Sequence, residues 1–376
     1  MRQVLVYFLY LLSVSTLVAN IGFGLGLSQV KFLKELVFLV LAVGGAINIR
    51  KINLSPFFIG LGYILWALLS YFWSGSSIVD FVFGLKYEIS FVTLYYAVYL
   101  LGIRKKQGLS VLKKIVKFAS LGVFASILIW IFGNELLTMA GYRADWSTFY
   151  VGDATAFCQK IENLNICRLQ GFLSGPNVFA LYSLLILATA KYLGLSKKYM
   201  ALLISGIILS FSRSGILALG LFLALGYVDG IHNLLKLACR KWKLTSVISA
   251  MGLFLIFAFR PESNSEHLMA WKLGFAEFLN SPLLGQGVNF SGPASRFSDS
   301  VLIPESWFLQ VADNLGLIGL GLFLAFGYQV YKKLPKVFQN FLIAMCIPLA
   351  LLHSLEDAGF AYSLAAILGI VSSEEF

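Results

Sequence analysis

Three places along the chain set a charged side chain at the start of an apolar run. Arg168 precedes Pro176-Asn177 in RLQGFLSGPNVFA, Arg213 lies in SFSRSG, and Glu305-Ser306 opens ESWFLQVADN. Proline suits the first helical turn, where its missing N–H would be unpaired anyway, so Pro176 marks a helix start. The unpaired N–H groups of such a start attract anions, and a guanidinium adds forked hydrogen bonding to phosphate. Arg168, Arg213 and Asn177 are therefore candidate diphosphate binders, and Glu305 is a candidate general base. Each has a plainer reading. Arg213 could snorkel to headgroups from a tight turn, Arg168 could be an ordinary loop arginine, and Glu305 could be a carboxylate stabilised by the helix dipole.

Lys86 and Glu88 sit within the apolar stretch FGLKYEIS, two residues apart and hence on different helix faces, so each must reach water or another helix. They and Ser306 are candidate cavity-lining residues. Glu356-Asp357 could meet sugar hydroxyls or form a solvated turn. His232, His267 and His353 are scattered, and no Cys/His spacing, acidic pair or glycine-rich phosphate loop marks a metal or nucleotide site, so the expected chemistry needs no metal and no cofactor. Cys158 and Cys167 are close enough in sequence to pair if their loop faces an oxidising compartment.

The elements that position these residues are expected to be membrane helices. Of 376 residues 59% are hydrophobic and 12% charged, with mean hydropathy +0.83, as in an integral membrane protein. Apolar runs at 3–21, 30–49, 54–73, 79–102, 111–133, 176–195, 198–211, 213–231, 245–260, 306–330, 337–353 and 359–373 predict an all-α polytopic protein of about twelve transmembrane helices. They are apolar on all sides, which excludes barrel strands. The first run has no cleavage site after it and reads as a span, not as a removed leader. The net charge of +11 is concentrated between spans: Arg50-Lys51, Arg104 to Lys117, Lys197-Lys198, Lys236 to Lys243 and Lys332 to Lys336 all follow even-numbered runs. That pattern is the topological bias of cytoplasmic loops, not a nucleic-acid surface, and it puts both termini in the cytoplasm. Two longer segments, 134–175 and 261–305, then lie on the outer side of a single domain covering 1–376. The second carries an amphipathic stretch, Leu268, Trp271, Phe275 and Phe278, suited to the membrane interface or to capping the bundle.

In order, RLQGFLSGPNVFA, SFSRSG, Trp271 followed by NSPLLGQGVNF, and ESWFLQVADNLGLIGLGLF resemble the O-antigen ligase and O-antigen polymerase (Wzy-type) superfamily of bacterial envelope proteins over about residues 168 to 330. The resemblance implies a glycosyltransferase of the bacterial cytoplasmic membrane with its active site on the extracytoplasmic side. Its substrates would be undecaprenyl-diphosphate-linked oligosaccharides as donor and acceptor, with a chain-length regulator as a possible partner. Arg168 and Arg213 would engage the donor diphosphate. Where ligases of the family carry a His-Asn pair before Leu-Gln, this chain has Glu305-Ser306 before Leu309-Gln310, which is more similar to the polymerase branch. The expected activity is thus polymerisation of surface-polysaccharide repeat units by inverting transfer, with Glu305 as base. The alternatives are a ligase moving the glycan to lipid A-core and, in a different class, a flippase or secondary transporter. Against the transporter, the distinctive residues cluster after residue 168, and the first half has no counterpart to them.

Overall fold

The computed structural model describes residues 1–47, 58–143, 150–151, 154–161, 166–228, 233, 236, 240, 261–293, 295 and 301–373. The expected ninth span at 245–260, together with His232, Cys239, Asp145, Trp146 and Asp153, lies outside them. Helix dominates, as the long apolar runs require. In chain order the helices are α1 Arg2–Ser13, α2 Ser15–Gly24, α3 Leu33–Ile47, α4 Phe58–Leu69, α5 Tyr71–Ser74, α6 Ile78–Leu100, α7 Lys105–Phe132 and α8 Asn134–Met139. After four short strands come α9 Pro176–Tyr192, α10 Lys197–Leu209, α11 Arg213–Tyr227, α12 Pro261–Asn280, α13 Trp307–Lys333, α14 Lys336–Leu351 and α15 Ala358–Ser373.

Of the twelve expected spans, two are matched among the described residues by stretches long and apolar enough to cross a membrane, α7 and α13, the second of them interrupted at Gly316. Helices α1 and α2, bent by 71° at their junction, make a third if the pair is one span. Other apolar helices, such as α11, α14 and α15, are shorter. At the centre lies α15, buried along its whole length from Gly359 to Ser373 and packed against α1, α6, α7 and α9. Its small residues Ala361, Ala365, Ala366 and Gly369 let those helices come close.

Strands β1 Tyr150–Val151 and β2 Ala154–Thr155 form one antiparallel pair, and β3 Gln159–Lys160 and β4 Cys167–Arg168 another. Cys158 and Cys167 are joined as a disulfide across the second pair. This hairpin is tied to α10 by Leu169 N–H donating to the Leu209 carbonyl at 3.1 Å.

The expected uninterrupted span over 306–330 is broken. Gly316, with φ 66° and ψ −171°, interrupts α13, in a conformation essentially confined to glycine. The backbone groups freed there are taken up by the SPLLGQG segment. Gln286 and Gly287 N–H donate to the Asp313 and Asn314 carbonyls, each at 2.8 Å, and Leu317 N–H donates to the Pro282 carbonyl at 2.8 Å. Trp66 Nε1 donates to the Leu315 carbonyl at 2.9 Å. A helix can be broken inside a protein only if its amides and carbonyls find such partners.

Candidate functional site

The site is assembled on one face of α12. Asn264, His267 and Trp271 recur there at helical spacing, and each reaches a different part of the candidate machinery. The Asn264 Oδ1 accepts a hydrogen bond from Arg213 Nη1. His267 Nδ1 lies 3.4 Å from Glu305 Oε2, and Trp271 Nε1 donates to the Glu305 carbonyl at 3.3 Å. Gly274 permits this approach: a Cβ on it would stand 2.7 Å from Pro304 and 2.9 Å from Leu309. From the other side, His353 Nδ1 lies 3.5 Å from the same Glu305 oxygen, and its Nε2 is 3.9 Å from Glu356 Oε2. Trp307 N–H, donating to the Leu352 carbonyl at 3.1 Å, holds the end of α14 beside the start of α13.

Arg213 and Glu305 thus meet neighbouring positions on one turn of α12, where side chains three apart lie about 5–6 Å from each other. The Glu305 side chain is 29% exposed, accessible yet flanked by two imidazoles. Both charged residues adjoin strained backbone. Among the described residues, Phe211 (φ 49°) and Glu305 (φ 50°) are the two non-glycine residues with positive φ. Neither side chain favours that region, and such outliers concentrate at functional sites. Ser212 and Ser306 follow them as N-caps, their hydroxyls accepting from Gly215 N–H and Leu309 N–H at 3.3 Å each. These caps start α11 at Arg213 and α13 just after Glu305.

Arg168 is buried, with 2% exposure, and braces three elements. Its Nε donates to the Ser210 carbonyl at 3.0 Å, Nη1 to Gln159 Oε1 at 2.8 Å and Nη2 to Asn177 Oδ1 at 2.8 Å. All three are neutral oxygens. The structure therefore places Arg168 and Asn177 together beneath the segment that leads to Arg213, with much of the Arg168 fork committed to the protein. The neighbouring loop is pinned by Ser174, whose hydroxyl donates to Asp357 Oδ2. Asp357 in turn accepts from Phe360 N–H at 3.2 Å and caps α15, so it is not a solvated turn residue.

Lys86 and Glu88 part company as their spacing demands, but away from Glu305. Lys86 pairs with Glu35 at 2.8 Å. Glu88 is buried between α4, α6 and the break in α13, receiving the Tyr63 hydroxyl at 2.5 Å and Asn314 Nδ2 at 3.1 Å. Asn314 Oδ1 then takes Ser291 N–H at 2.9 Å, so the Glu88 network stitches the 281–291 segment to the helices behind it.

Sequence reasoning missed Asn264, His267 and His353. The two histidines read as scattered, because their meeting depends on how α12 and α14 pack around Glu305. One signal was present: Asn264 lies four residues before Leu268 and seven before Trp271, hence on the amphipathic face they mark, and His267 borders it. Among the described residues, no three His, Cys, Asp or Glu side chains are arranged to hold a metal ion. Comparison with protein-family models and with curated proteins finds no match to the chain.

Proposed function

We propose that the protein is a membrane glycosyltransferase that joins undecaprenyl-diphosphate-linked repeat units of a bacterial surface polysaccharide. The observation that supports this most strongly is the convergence of a guanidinium, Arg213, and a carboxylate flanked by two imidazoles, Glu305, on one turn of α12. In the reaction the acceptor hydroxyl oxygen forms a bond to the anomeric carbon of the donor. The bond from that carbon to the diphosphate oxygen breaks, and its electron pair leaves with the diphosphate. Glu305 takes the hydroxyl proton, and attack from the face opposite the leaving group inverts the anomeric centre. Arg213 neutralises the charge that grows on the departing diphosphate, an interaction stronger in the transition state than before it. Arg168 adds positive potential from behind, through the start of α9, and Asn177 orients it.

His267 and His353 stand beside the Glu305 carboxylate and offer its proton a way out after transfer. The left-handed backbone at Glu305 fixes where that carboxylate points. We further read the chain as about twelve spans with both termini cytoplasmic and the site on the outer side of the cytoplasmic membrane. The disulfide between Cys158 and Cys167 supports that side, because such bonds persist in oxidising compartments. A ligase would use the same donor chemistry and differ in acceptor. The test is incubation of the purified protein with lipid-linked repeat units: longer glycans and free undecaprenyl diphosphate are expected in equal amounts. Absence of both from protein shown to be folded would defeat the proposal.

A further inference from the structure

Helix α7 has a face that the candidate site does not use. Its first half carries Lys105, Lys106, Lys113, Lys114 and Lys117 with no acidic residue, and from Phe118 to Phe132 it carries no charge. The helix begins at Lys105, so Lys105 and Lys106 stand on helical backbone and not in the loop expected before residue 111, in line with Lys113, Lys114 and Lys117. At 3.6 residues per turn, Lys106, Lys113 and Lys117 share one face, with Leu109 and Ser110 between them and Lys114 at its edge. These six residues line a shallow groove of about 390 Å³. The opposite face, including Val111, Leu112, Ile115 and Val116, is buried in the bundle.

The lysine face continues down the same side of the helix as an apolar one. Leu121, Phe124, Leu128 and Ile131 project there, 63%, 49%, 41% and 53% exposed. From Phe118 to Ile131 the rise is about 20 Å at 1.5 Å per residue, enough to run past the roughly 15 Å of chains in one leaflet. Among the described residues no carboxylate pairs with Lys106, Lys113, Lys114 or Lys117. Like charges one turn apart repel, so the stripe is poised for an anion from outside the chain. A free phosphate would satisfy the lysines and leave the apolar continuation unused; an amphiphile satisfies both.

We propose that this face of α7 is a binding site for an anionic phospholipid. The phosphodiester headgroup sits among Lys106, Lys113, Lys114 and Lys117, with the Ser110 hydroxyl donating to a phosphate oxygen, and the acyl chains lie along Leu121, Phe124 and Leu128. This site is independent of the glycosyl-transfer reading.

The test uses the full-length purified protein in nanodiscs of phosphatidylcholine doped with phosphatidylglycerol, with retained lipid counted by native mass spectrometry after detergent release. Wild type is expected to retain phosphatidylglycerol over phosphatidylcholine by about a hundredfold or more, since each of the four basic residues near an anionic headgroup contributes about 1 kcal/mol. K113A/K117A should lose about thirtyfold of that preference, K113R/K117R should keep it, and K272A, on an exposed part of α12, should leave it unchanged. If the double alanine variant does not insert, K113Q and K117Q measured singly replace it, each expected to lose several-fold. Equal retention of the two lipids, or an unaltered preference in the alanine or glutamine variants, would overturn the proposal. So would full displacement of phosphatidylglycerol by an equal concentration of inorganic pyrophosphate, which would make this a free-anion site.

Discussion

Replacing Gly316 by alanine tests the break in α13, on which the placement of the whole 281–291 segment depends. At φ 66° and ψ −171° an alanine is in a region that costs on the order of 1–3 kcal/mol. Its Cβ would stand 2.1 Å from the Leu283 carbonyl oxygen and 2.3 Å from the carbonyl carbon, backbone atoms that no rotamer change can move aside. The segment must retreat, which threatens the bonds of Gln286 and Gly287 to α13 at 2.8 Å and of Leu317 to Pro282 at 2.8 Å. Loss of two such bonds adds about 1–3 kcal/mol, so G316A should destabilise by about 2–6 kcal/mol in total. Gly321, further along the same helix, is the control: a Cβ there meets nothing within 4 Å, and G321A should stabilise by about 0.5–1 kcal/mol. The assay is unfolding in mixed micelles followed by circular dichroism. If G316A falls within about 1 kcal/mol of wild type, the helix is not broken as described.

Removing the Cys158–Cys167 disulfide by serine substitution closes no loop across a sequence separation of 9 and should cost about 2–3 kcal/mol in oxidising buffer, with no difference from wild type once both are reduced. E305G should stabilise the protein by about 1 kcal/mol in thermal unfolding, by relieving the φ of 50°, while removing glycosyl transfer; a destabilised variant would refute functional strain at that residue. R168K should be destabilised by about 1–3 kcal/mol, because an ammonium cannot reach Ser210, Gln159 and Asn177 together. H267Q/H353Q should lower kcat by about tenfold to a hundredfold, and an unchanged kcat would remove both histidines from the proton path.

Much of the helical plan was legible because apolar runs announce themselves. The starts of α9 at Pro176 and α11 at Arg213 follow from proline chemistry and from the abrupt SFSRSG junction, and the structure begins both helices there. The break at Gly316 was not legible. LGLIGLGLF is apolar throughout, and nothing local distinguishes Gly316, whose conformation is imposed by the arrival of Leu283, from Gly319 or Gly321. Lys105 and Lys106 fell outside the expected span at 111–133, whereas the helix begins at Lys105 and carries all five lysines, with its other side buried. At the site, Arg213 and Glu305 could be chosen by residue type and position. The histidines beside Glu305 could not, since His267 and His353 are 86 residues apart and come together only through packing.

The most direct test of the account is steady-state transfer between lipid-linked repeat units by wild type, E305Q and R213A, each verified as folded. Glutamine keeps the size of Glu305 and removes its capacity to accept a proton, so E305Q should lower kcat by about 10²–10⁴-fold with KM nearly unchanged. R213A should lower kcat and kcat/KM together, as the loss of an interaction made mainly in the transition state requires. E305Q turning over at the wild-type rate, or R213A retaining full kcat, would contradict the assignment of base and diphosphate cation to these two residues.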